Sequence, residues 1–157
     1  SKEAPVLFRD ICTKDVTTAT RTTGVVDVAR AMRERHSGDV VIVDGDASPH
    51  PVAIVTDRDL VVSVLAQAAE RAPGLRVADI LVGKELVVVR DDADVVDALE
   101  AMWHAAVRRA PVVDAAGALR GILSIDDVIV ALADQQNAIA RLVRAQPAKE
   151  RKARSSS

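Results

Sequence analysis

The chain has 157 residues and a formal net charge of −2; 49% of it is apolar, yet only 1% is aromatic. That length allows one compact domain, or two small halves sharing a core of Val, Ile, Leu, Ala and Met, and the near-balanced charge gives no ground for nucleic acid as the main partner. The single cysteine, Cys12, excludes an internal disulfide and leads us to expect a reducing, cytoplasmic setting, while no apolar run approaches the roughly 20 residues that span a bilayer.

Residues 1–8 read as a flank, and residues 15–20 as a short, weak strand. A helix is predicted over 25–35, because Val25, Val28, Ala29 and Met32 share one face, with Thr22 and Thr23 placed to cap it. Residues 40–43 and 52–55 form a hairpin around a turn at 45–51, and a helix runs from about Asp57 to Gln67. Pro73 and Gly74 mark a turn, so 70–76 is the linker between a first half at 9–69 and a second at 77–135. The second half repeats the order. It has a Val-rich strand at 85–90 and a helix presenting Val95, Ala98, Leu99, Met102 and Ala106, with Asp91 and Asp92 as caps. A hairpin of 111–113 with 119–123 follows, then a helix from about Asp126. Residues 136–157 extend that helix to Arg144; Pro147 is expected to end it and leave a basic, disordered tail.

Repetition is the main organisational signal. Val25-Val26-Asp27-Val28-Ala29-Arg30-Ala31-Met32 matches Val95-Val96-Asp97-Ala98-Leu99-Glu100-Ala101-Met102 at an offset of 70, with five of eight positions identical. Residues 40–44 match 110–114 at the same offset, and Thr56 and Asp59 match Ser124 and Asp127 at 68, the shorter second turn taking up the difference. Each half is thus β-α-β-β-α. Neither buries its sheet alone, so the two are expected to pack face to face about a pseudo-twofold axis, leaving two related clefts.

The stretches 52–60 and 120–128 carry the candidate chemistry. Each is an apolar strand, then Thr or Ser, then Asp three residues on, then a helix. A strand turning straight into a helix aims free N–H groups and the positive end of the helix dipole at whatever lies beyond it, which favours an anion. A hydroxyl and a carboxylate there suit phosphate and ribose hydroxyls. The same spacing also fits the Ser/Thr-x-x-acid cap of a helix N-terminus, and the two roles can coexist.

These motifs resemble a tandem pair of CBS domains, a Bateman module. The resemblance rests on the paired Val-Val-Asp-x-x-x-Ala-Met helices, Pro111-Val112-Val113-Asp114, Gly121-Ile122-Leu123-Ser124-x-x-Asp127, and 53–59 with Ala53 in place of the usual glycine. It covers roughly residues 9–133. It implies an α/β (α+β) fold of two β-α-β-β-α repeats, frequent pairing of modules into a homodimer, and a regulatory module, not an enzyme. It also implies an adenosine-containing ligand such as AMP, ADP, ATP or S-adenosylmethionine, with no cofactor required.

By the same resemblance, Asp59 and Asp127 would hold the ribose hydroxyls, with Thr56 and Ser124 at the cleft mouths. Thr13, Val16 and Leu86 match positions lining the adenine pocket, and ordinary core is the competing reading for Val16 and Leu86. Arg58 adds positive charge at the first site, whereas Asp126 beside Asp127 disfavours a triphosphate at the second. Arg108 and Arg109 occupy positions that are basic in some nucleotide-binding relatives; a solvated helix end is the alternative, and the sequence leaves open which cleft they serve. The Asp59 site is expected to be the better formed.

His36, His50 and His104 lack metal-ligand spacing, and no catalytic set is evident. Trp103 is a candidate for interface burial. Short flanks lead us to expect a stand-alone protein. The leading function is an adenosyl-ligand sensor. A ligand-free dimeric scaffold with a protein partner is second, and nucleic-acid association through the basic tail is third.

Overall fold

The structure, a computed structural model, describes residues 11–45, 47–81, 83 and 85–154. The chain divides into two compact units, Ser1–Leu123 and Ser124–Ser157. The first unit opens with Thr18–Ala19 (β1), Val25–Arg35 (α1), Asp39–Asp44 (β2) and His50–Thr56 (β3). Asp57–Leu60 (α2), a π-helical turn at Val61–Leu65, Ala66–Ala68 (α3) and a 3-10 segment at Ala69–Gly74 follow without a break. After Val77–Ile80 (α4) the order recurs as Val89–Arg90 (β4), Val95–His104 (α5), Arg109–Val113 (β5) and Leu119–Ser124 (β6). The second unit is built on one helix, Ile125–Arg154 (α6).

Two three-stranded sheets result, ordered β1-β2-β3 and β4-β5-β6. β1 runs parallel to β2, with Thr18 opposite Val41, and β4 parallel to β5, with Val89 opposite Val112. β2 runs antiparallel to β3, with Asp39 opposite Thr56 and an irregularity between Ile42 and Val43. Side chains alternate across a strand. Val40 and Ile42 therefore join Val28 and Met32 of α1 in one cluster, while Val41 and Val43 join Ile122 of β6 in another. β2 is covered on one face by its own helix and on the other by the opposite half.

The halves interlock at further points. Thr13 exchanges two backbone hydrogen bonds with Ile122, both 2.9 Å, so the segment before β1 pairs with the other half's sheet. Leu119 N–H donates to the Pro49 carbonyl at 2.8 Å, and Val77 N–H to that of Thr23 at 2.9 Å. Gly121 is required where Cys12 and Thr13 cross: a Cβ there would lie 2.7 Å from Cys12 Sγ and 2.8 Å from the Thr13 carbonyl oxygen. The second hairpin turn is organised by Asp114. One carboxylate oxygen accepts from the backbone N–H groups of Ala116 and Ala118, both 2.9 Å, and the other from Arg120.

The expected central strands and first helices form, with several local differences. The outer strands shrink to two residues each, and β1 ends at Ala19, where the chain turns and Thr20 N–H donates to Thr23 Oγ1. That bond occupies Thr23, and α1 takes Gly24 as its N-cap, without a side-chain cap. Asp92 pairs with Arg90, and Asp94 caps α5 through Val96 N–H at 2.8 Å. The expected turn at Pro73-Gly74 is a 3-10 helix that carries Pro73 inside it, and α4 was not foreseen. α6 continues through Pro147, where the sequence predicted an end and a disordered tail. Proline forfeits one hydrogen bond, but the flanking Ala, Gln, Lys, Glu and Arg residues are strong helix formers. Residues 155–157 of that tail, and the flank at 1–8, lie outside the described residues. Among the described residues no helix is long and apolar enough to cross a membrane.

Gly121→Ala is expected to destabilise the chain by about 1–3 kcal/mol through overpacking, seen as a lower denaturation midpoint; an unchanged midpoint would refute the close approach. The Asp114 carboxyl is held below its ordinary value, first by the Ala118 N–H and next by Arg120. Its stabilising contribution is therefore full above the ordinary aspartate value of about 3.9 and fades as pH falls through the lowered native value. An NMR titration of this carboxyl should show a midpoint below that of free aspartate.

Candidate functional site

β3 passes into α2 with no intervening loop, and Thr56, in extended conformation (φ −108°, ψ 162°), is the N-cap. Asp59 N–H donates to Thr56 Oγ1 at 3.2 Å. In return, Asp59 Oδ2 accepts from Thr56 N–H at 2.8 Å and from the Thr56 hydroxyl at 2.9 Å. The second unit repeats the arrangement at its start. Asp127 N–H donates to Ser124 Oγ at 3.1 Å, while Asp127 Oδ2 accepts from Ser124 N–H at 3.1 Å and from its hydroxyl at 2.7 Å. All four residues are half-buried. Both predicted pairs thus form reciprocal capping boxes, each presenting a hydroxyl and a carboxylate at a strand-to-helix junction.

Arg109 resolves the question of which junction it faces. It forms an ion pair with Asp39, whose side chain is only 10% exposed. Asp39 is the register partner of Thr56 in the β2–β3 ladder. A Cβ on the intervening Gly38 would lie 3.3 Å from Asp57 Oδ2 and 3.9 Å from Arg109 Nη1. The second half therefore delivers a guanidinium to the first half's junction, where it pairs with Asp39. Asp39 and Arg109 are equivalent positions of the repeat, 70 residues apart. The sequence reading did not single out Asp39, the buried charged residue of this junction. Opposite charges at matching repeat positions are the signal that could have found it.

The other expected site residues are placed as follows. Arg58 is exposed, its backbone N–H bonded to Asp57 Oδ1 at 2.7 Å, and Arg108 is exposed at the entry to β5. Thr13 is exposed and held by its backbone to Ile122. Val16 packs with Val41, Val43 and Ile122, a core environment, and Leu86 is half-buried ahead of β4. Among the described residues, no group of three or more His, Cys, Asp or Glu side chains is placed to hold a metal ion.

The CBS domain profile matches residues 8–66 and 77–134. The chain belongs to the CBS-domain family. An uncharacterized protein of Methanopyrus kandleri is 33% identical over 120 residues, 76% of this chain; the match spans 59% of that relative's length. The Arabidopsis thaliana CBS-pair protein CBSX2 shares 25% identity at a TM-score of 0.72, covering 85% of this chain and 99% of that one. Its complex with AMP aligns at 27% identity and a TM-score of 0.66, covering 83% and 98%. Hypoxic Response Protein I, solved with two coordinated zinc ions, aligns at 28% identity and a TM-score of 0.66, covering 79% and 97%.

In this CBS pair the two junctions differ in charge. The first carries Asp57 and Asp59 on its helix and the Asp39–Arg109 ion pair beside it, so Arg109 is already engaged. Removing Arg109 leaves Asp39 buried without its partner. Arg109→Ala is expected to cost about 1–3 kcal/mol, below the figure for a fully buried pair because the guanidinium is partly exposed and screened. A double-mutant cycle with Asp39→Ala, read by chemical denaturation, should return a favourable coupling energy; additivity would show that the pair contributes nothing.

Proposed function

We propose that this CBS pair is a regulatory module that binds an adenosine-containing ligand at the Thr56–Asp59 and Ser124–Asp127 junctions, acting as a sensor and not as a catalyst. The observation carrying this reading is the duplicated capping box, in a chain whose relative CBSX2 has been solved with AMP. Asp59 and Asp127 would accept from the ribose hydroxyls, and Thr56 and Ser124 would face the ribose or phosphate. Thr13, Val16 and Leu86 would line the adenine, with Arg58, Arg108 and Arg109 near the phosphate.

Charge narrows the choice among AMP, ADP, ATP and S-adenosylmethionine. At the first junction Arg109 is already paired with Asp39, which leaves less free positive charge for a polyphosphate, and at the second Asp126 adds negative charge. Ligands with one phosphate or none are favoured over ATP on this ground. Signalling would follow from a ligand preferring one arrangement of the module over another.

The regulated assembly we infer is a homodimer. Val61, Val62 and Leu65 are each more than half exposed on the run after α2, and Trp103 is 76% exposed on α5. Ile129, Leu132, Ile139 and Val143 of α6 are also exposed, with heptad-like spacing along one face. These surfaces suit a second copy or a protein partner.

Thermal unfolding against AMP, ADP, ATP and S-adenosylmethionine, with GTP as control, tests the ligand. At a hundred times its dissociation constant a ligand adds about 2.7 kcal/mol, a shift of several degrees for a domain of this size. AMP or S-adenosylmethionine should shift the midpoint more than ATP, and Asp59→Ala should reduce the shift. No shift with any adenosyl compound would favour a ligand-free scaffold, and a shift kept in both Asp59→Ala and Asp127→Ala would overturn the site assignment.

A further inference from the structure

A cavity of about 510 Å³ opens beside the helical run that follows β3, and neither Thr56, Asp59 nor Arg109 lines it. Its apolar wall is Val64, Leu75 and Ile80, the first buried and the others half-buried. Its polar wall is Ser63, Gln67, Arg71 and Asp79. The first three recur every four residues, so the chain presents a hydroxyl, an amide and a guanidinium in series. Among the described residues, none of these three side chains makes a hydrogen bond or ion pair. Asp79 uses Oδ2 to accept from Arg76 N–H at 2.7 Å.

The backbone is unusual at the same place. Ala66 N–H reaches back five residues to the Val61 carbonyl, closing the π-helical turn on which Ser63 and Val64 lie. Isolated π turns within helices are frequent at functional sites. Here the turn is followed, after the short α3, by the 3-10 segment that supplies Arg71 and Gly74 to the rim.

We propose that this cavity is a second binding site, separate from the adenosyl junctions, for a small zwitterion with an apolar body: the free α-amino acid class. Arg71 takes the carboxylate and Asp79 the ammonium, while Val64, Leu75 and Ile80 cover the apolar side chain. The opposite charges of Arg71 and Asp79 select against a simple anion, which Asp79 repels, and against a simple cation, which Arg71 repels. The volume lies within the range of about 300–1,000 Å³ common to small-molecule sites.

Isothermal titration calorimetry of the full chain tests this with L-leucine and L-methionine, against N-acetyl-L-leucine, which lacks the ammonium, and L-leucinamide, which lacks the carboxylate. Saturable binding of a free amino acid is expected, at least tenfold weaker for both derivatives and in Arg71→Gln and Asp79→Asn. Arg71 is exposed, and Asp79→Asn keeps an oxygen for the Arg76 N–H, so both variants should fold, which circular dichroism verifies. Asp59→Ala should leave this binding intact, separating it from the adenosyl reading. No saturable heat with either amino acid, equal binding of the derivatives, or loss of binding in Asp59→Ala would overturn the proposal.

Discussion

β2 is buried on both faces, and much of the first unit follows from that. Val40, Val41, Ile42 and Val43 are apolar in succession, and a strand of that kind needs a covering layer on each side. Its own half provides only one, through Val28 and Met32 of α1. The other must come from Ile122 in the second half, so neither half closes its core alone. Duplication here is a packing requirement before it is a functional one. With both strand faces occupied, the strand ends remain as accessible polar positions, and there the chain turns into helices with Thr56 and Ser124 at the corners.

The two halves meet at matching positions, and identical residues there would conflict. Two copies of Asp39, or of Arg109, would set like charges together across the axis. The repeat has diverged to one acid and one base, which attract. Gly121 and Ala53 show a second divergence. Gly121 must admit Cys12 and Thr13, whereas Ala53 sits in the cluster of Val28, Ile42 and Val55, where its methyl group is filled volume. The loss of the family's usual glycine at Ala53 is thus compatible with a sound first half.

Periodicity made the large elements legible. α1 falls at residues 25–35, as its apolar face predicts, and both hairpins form where short apolar runs flank turn residues. The misses are places where the pattern carries no signal or a local hydrogen bond diverts it. Nothing in residues 61–65 marks a π turn. A glycine caps α1 although two threonines precede it, because Thr23 already serves the preceding turn. Of the expected site residues, Thr56, Asp59, Ser124 and Asp127 were visible from duplicated spacing. The partner of Arg109 was hidden, because offset alone does not say which equivalent positions lie on the axis.

Capping and the proposed ligand binding would draw on the same atoms, and this constrains how a ligand could engage. α4 shows that an acid three residues into a helix caps by itself: Asp79 receives Arg76 N–H with no hydroxyl involved. A capping acid alone is therefore no sign of a site. What sets the repeat junctions apart is the hydroxyl, the strand leading straight in and, at the first, a guanidinium brought from the other half. A cap contributes about 0.5–2 kcal/mol, so a ligand that broke the box would lose much of what it gained. At Asp127 the cap rests on Oδ2, and Oδ1 takes no hydrogen bond among the described residues. In the proposed mode a diol would engage that second oxygen while the cap stays closed, so one carboxylate would hold both the helix and the ligand.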